Sequence, residues 1–185
     1  MLLLLCLTLF AGAIFTSSNG CDIGPLPFTN FDFNKYNGQW IWLYYTKSDV
    51  FSTIGCILDV NIPQGDESVT ITVSYNRVQK RNQVIKGFVR EWNSTGYSHE
   101  YDNISVPWSN NLFIMGIDYE KYVITKCCLV GEATPHIYVG FRMMNPNEDA
   151  IEAANKTLQE NGMSLKDLGR FSDCDESWKL LGVES

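Results

Sequence analysis

Phe31-Asp32-Phe33-Asn34-Lys35-Tyr36-Asn37-Gly38-Gln39-Trp40-Ile41-Trp42 is the stretch whose reading decides the fold. Gly38, with no Cβ, allows a tight turn just before Trp40 enters a strand. From Trp40 to Tyr45 the chain alternates, with Trp40, Trp42 and Tyr44 on one face and Ile41, Leu43 and Tyr45 on the other. Both faces are apolar or aromatic, which suits a strand buried on its inside and covered on its outside. A bare Gly-x-Trp is also an ordinary strand start, so its meaning depends on the rest of the chain.

Upstream, Met1 to Gly20 is an uncharged run of Leu, Ala, Phe and Ile that ends in Ser17-Ser18-Asn19-Gly20 before Cys21. It is too short for a membrane span and reads as a secretory signal peptide, leaving residues 21–185 as one domain. No later stretch is apolar enough to cross a bilayer, so a secreted, extracellular protein is expected. With Cys6 in the leader, Cys21, Cys56, Cys127, Cys128 and Cys174 remain, an odd set that predicts two disulfides and one spare thiol. There is no CxxC, and only two histidines, His99 and His136, so no metal site is expected.

The formal charge of −7 is uneven. From Asn145 onward nine acids face four bases, whereas Ser68 to Arg90 carries Arg77, Lys80, Arg81, Lys86 and Arg90 with no acid. That basic stretch reads first as a solvated hairpin and second as a surface for an anionic partner. Net acidity without an extended basic surface argues against nucleic acid.

Downstream, Cys56 to Ile62 reads as a strand stopped by Pro63-Gln64-Gly65-Asp66. Val69 to Asn76 is the cleanest strand, with Val69, Ile71, Val73 and Tyr75 toward a core and Thr70, Thr72, Ser74 and Asn76 toward water. Val84–Trp92, a weaker segment ending near Pro107, Leu112–Ile117, Tyr122–Val130 and His136–Met144 complete eight strands. The period then changes. Asn145 as N-cap, Pro146 at N1 and Glu148 at N3 predict a helix with an Ile151, Ala154, Leu158 stripe, ended by Asn161-Gly162. The class is all-β with one C-terminal helix; periodicity alone does not separate a barrel from a sandwich.

The opening string resembles the lipocalin signature, in which Asn, a basic residue, an aromatic, Gly and Trp occur at this spacing. Ile117-Asp118-Tyr119-Glu120-Lys121-Tyr122 is similar to the family's second motif, and Arg142 in Gly140-Phe141-Arg142-Met143-Met144 falls where the third places an Arg. The resemblance implies an eight-stranded antiparallel up-and-down barrel with the helix packed outside. It implies Gly38, Trp40 and Arg142 as a structural closed end, with the guanidinium stacked on the indole. The chain resembles most the invertebrate bilin-binding, insecticyanin and apolipoprotein D-like group, and its cysteine layout resembles that of the insect bilin-binding proteins, insecticyanin and the crustacyanins. It implies Cys21–Cys128 and Cys56–Cys174, with Cys128 fitting better than Cys127. Cys127 is then an unpaired thiol or a bridge to another chain. Asn93, Asn103 and Asn155 head glycosylation sequons.

Such a barrel encloses one small-ligand cavity. Trp42, Tyr44, Val69, Ile71, Val73, Tyr75, Phe88 and Leu112 are the expected lining, suited to a flat hydrophobic ligand such as a bilin of the biliverdin type; no cofactor is required. A secreted interaction protein that scavenges mediators or inhibits proteases is the alternative, and homo-oligomers stay open. Catalysis is not expected, since no acid–base pair is placed near Cys127.

Overall fold

The computed structural model describes residues 21–24, 28–102, 111–129 and 132–174. The leader Met1–Gly20 and the Asn103 sequon lie outside them, as does the side chain of Asn93. The first helix is started by Asp32, which accepts hydrogen bonds from the backbone N–H of Asn34 (3.1 Å) and Lys35 (3.4 Å). That cap starts a single-turn helix, α1 (Phe33–Tyr36). Gly38, at φ +96°, then turns the chain into β1 (Gly38–Tyr45).

Seven further strands follow: β2 (Ile54–Gln64), β3 (Glu67–Asn76), β4 (Arg81–Asn93), β5 (Gly96–Tyr101), β6 (Asn111–Asp118), β7 (Tyr122–Cys128) and β8 (Pro135–Phe141). Each pairs antiparallel with its neighbour in sequence, and β1 pairs with both β2 and β8. That second pairing closes the sheet into a barrel, so no long edge is left. A two-residue β9 (Gly169–Arg170) adds beside Tyr44 and Tyr45.

The helix α2 (Glu148–Glu160) starts two residues later than the capping pattern suggests. Asn147, not Asn145, is the N-cap, and its side chain accepts from Ala150 N at 2.9 Å. Asn145 and Pro146 instead belong to the link from β8. Ala150, Ala154 and Leu158 are buried on the barrel, while Ile151 is half-buried. The Tyr122 hydroxyl meets Thr157 Oγ1 at 2.8 Å and pins the helix to β7. Gly162, at φ +75°, follows the Asn161 C-cap and releases the chain.

Apolar residues therefore form two cores. An outer one, under α2, holds Ile41, Leu43, Leu58, Ile124, Val139, Phe141 and Leu158. An inner one holds Tyr36, Trp40, Trp42, Phe51, Tyr97, Ile114, Val123 and Tyr138. Cys21 is bonded to Cys128 and Cys56 to Cys174, tying both ends of the domain to the barrel. Cys127 is free in this chain and buried inside the barrel.

Candidate functional site: the barrel lumen

The closed end is built from α1 and the start of β1. Trp40, fully buried, donates from Nε1 to Tyr36 O at 2.7 Å and stacks on the Tyr36 ring. Arg142 lies over the Trp40 ring at 3.6 Å. Its guanidinium also donates to the carbonyls of Tyr119 (2.8 Å), Asn37 (2.9 Å), Gln39 (2.9 Å) and Lys35 (3.0 Å). Burial pushes its pKa below that of a free guanidinium, and the fan of acceptors keeps the charge satisfied. Tyr36 and Tyr97, with ring centroids 4.6 Å apart, finish the plug.

Above the plug lies a cavity of about 50 Å³ lined by Trp42, Phe51, Ile57, Asp59, His99, Tyr101, Leu112, Cys127 and Tyr138. Of the expected lining, Trp42 and Leu112 are there. Tyr44 is not. The β1–β8 register shifts between Trp42 and Tyr44, so Leu43 is an extra residue and Tyr44 turns outward. There it packs edge-on against Phe141 and faces Arg170, while Tyr45 joins the inner cluster.

The face expected to line the cavity on β3 is also reversed. Thr72 pairs with Asp59 and Val73 with Leu58. Because the Thr72 and Asp59 side chains meet in the lumen, Val69, Ile71, Val73 and Tyr75 point outward, and Val73 sits in the outer core. Phe88 is the register partner of Val69 and shares that outer face. The physical reason is that a barrel strand covered outside has two dry faces; alternation separates them without labelling either as the lumen.

Asp59 is the centre of the lumen. It is 4 % exposed, and its two oxygens accept from Trp42 Nε1 (2.6 Å) and Thr72 Oγ1 (2.5 Å). No Lys or Arg among the described residues forms an ion pair with it. Its charge helps raise the pKa of Tyr101, on which burial acts first. Burial lowers the His99 pKa below 6.5, opposed by the Asp59 charge, so the ring is held neutral. His99 Nδ1 meets the Tyr101 hydroxyl at 3.3 Å, the two rings lie tilted with centroids 4.1 Å apart, and Nε2 has no partner.

Sequence reasoning missed Phe51, Ile57, Asp59, His99, Tyr101 and Tyr138. One signal was present: Asp59 is an acid inside Cys56-Ile57-Leu58-Asp59-Val60, a strand otherwise apolar. Cys127 reaches the same cavity, where burial pushes its thiol up to about 12 and leaves it protonated. Among the described residues no cluster of three His, Cys, Asp or Glu could hold a metal, and no helix is long and apolar enough to cross a membrane. The basic stretch is partly neutralised: Arg77 pairs with Asp173 (2.9 Å), and Arg90 with Glu67 (2.6 Å) and Glu100 (3.3 Å).

No protein-family model and no curated protein matches the sequence. Solved structures do match in fold. The cockroach allergen Per a 4 superposes with a TM-score of 0.74 at 20% identity, over 89% of this chain and 99% of its own. Insecticyanin from the tobacco hornworm Manduca sexta gives 0.67 at 11%, over 85% and 90%. The amine-binding protein of Rhodnius prolixus, in its tryptamine complex, gives 0.65 at 17%, over 90% and 97%. With a closed eight-stranded barrel, one helix outside and these structural likenesses, the chain has the lipocalin fold.

Proposed function

We propose that this chain is a secreted member of the lipocalin family that carries or sequesters one small ligand in its barrel lumen, without catalysis. The observation that carries the reading is the small lumen cavity in which Trp42, Phe51, Tyr101 and Tyr138 set aromatic rings around Asp59. Apolar walls with a few placed polar groups are the usual make-up of a small-molecule site. Two disulfides fit an oxidising compartment, and the leader read in Met1–Gly20 fits export.

Size argues about the ligand. At about 50 Å³ the cavity is far below the roughly 300–1,000 Å³ of pockets that enclose drug-sized molecules. A bilin of the biliverdin type exceeds this volume, so a smaller ligand fits the geometry better. The mediator-scavenging reading gains from this, and the tryptamine complex of a fold relative is in keeping with it.

The test is a titration followed by intrinsic fluorescence, since Trp42 lines the cavity. Small aromatic ligands are expected to change Trp emission saturably, and native mass spectrometry should show one ligand per chain. A panel of small aromatics, amines, fatty acids and bilins that leaves emission and mass unchanged would overturn the reading.

A further inference from the structure

We propose that the lumen selects a protonated small amine bearing an aromatic ring, with Asp59 as its counter-ion. This rests on the lumen being a ligand site. A carboxylate in an aromatic cavity is costly unless something compensates it. Here two donors, the Trp42 indole and the Thr72 hydroxyl, compensate it in part. An ionised carboxylate has about four acceptor positions, so about two remain for a ligand. No Lys or Arg among the described residues takes them.

The walls point the same way. Trp42, Phe51, Tyr101 and Tyr138 present aromatic rings to one small space, and ring faces attract cations when water is excluded. A fatty acid or another anion would meet the Asp59 charge instead. A neutral apolar ligand would leave the remaining acceptor positions of Asp59 dry. His99 supplies the second polar point: its buried Nε2 has no partner, so a ring N–H or hydroxyl on the ligand can satisfy it. The neutral imidazole adds no positive charge to repel the ammonium.

The experiment compares phenethylamine with its neutral isostere 2-phenylethanol on the wild-type chain, by calorimetry and Trp quenching. The amine is expected to bind at least about tenfold more tightly. In Asp59→Asn that preference should vanish. Thr72→Val, which keeps the charge and removes one of its donors, should retain the preference. Equal or weaker binding of the amine by wild type overturns the inference and leaves the lumen reading standing. A preference that survives in Asp59→Asn also overturns it. Binding of neither compound, nor of any ligand in the wider panel, sinks the lumen reading itself. The wild-type comparison needs no variant, so a misfolded Asp59→Asn does not remove the test.

Discussion

Replacing Arg142 by Met keeps the length and apolar stem of the side chain and deletes its charge and donors. Four carbonyls, of Lys35, Asn37, Gln39 and Tyr119, lose a charged donor at 2.8–3.0 Å. Each such bond contributes about 1.5–3 kcal/mol where a charge is involved, and four summed would overshoot because they share one group. Water can reach some of these half-buried acceptors, and deleting the charge also removes its own desolvation cost. The Trp40 contact at 3.6 Å adds about 0.5–2 kcal/mol. A net loss of about 3–4 kcal/mol is expected for Arg142→Met. Arg142→Lys should lose about half of that, because an ammonium has no planar fork to reach separate carbonyls. Gly38→Ala should also be destabilising, since a Cβ there would lie 3.1 Å from Arg142 Nη1 at a φ of +96°. Urea unfolding followed by Trp fluorescence measures all three, with m unchanged if the native state keeps its compactness. A cost below about 1 kcal/mol for Arg142→Met would refute the view that this guanidinium holds the closed end together.

His99 has a folded pKa below 6.5, so the unfolded chain binds the extra proton first as pH falls. Stability should therefore drop below pH 6.5 by up to about 1.4 kcal/mol per pH unit, and His99→Gln should flatten that part of the difference in thermal melts. Cys127, with its thiol pushed up to about 12 and buried, should not react with a thiol reagent at pH 8 until denaturant is added; stoichiometric labelling of the native chain would contradict the placement. Replacing Cys21 and Cys128 by Ser opens a span of 107 residues and should cost up to about 4.7 kcal/mol, read as a fall in the urea midpoint. Asn155, on the docked helix, accepts from Leu165 N (3.0 Å) and Ser164 Oγ (3.2 Å), so Asn155→Gln should lower stability yet leave unchanged the glycan mass of the protein expressed through a secretory route.

The container was legible in the sequence and most of its lining was not. Gly38 could be read from the turn it allows before the strand, whereas Trp40 and Arg142 as plug and clamp, and the pairing of the cysteines, were legible through the resemblance to the lipocalin motifs and cysteine layout. The lining failed for two physical reasons. A single inserted residue at Leu43 reverses every side chain after it on β1, and no residue type marks a bulge in a run of aromatics. On β3 the polar set, Ser68, Thr70, Thr72 and Ser74, is the buried one, against the usual expectation that water takes it. On this strand the polar side chains face the lumen, where Thr72 holds Asp59, and the apolar ones face outward, where Val73 joins the outer core. Asp59 is where the two failures meet: an acid in an apolar strand looks like a sequence defect until Trp42 and Thr72 are seen to hold it. The residues that break the hydrophobic pattern of a barrel strand are therefore better guides to its contents than the residues that keep it.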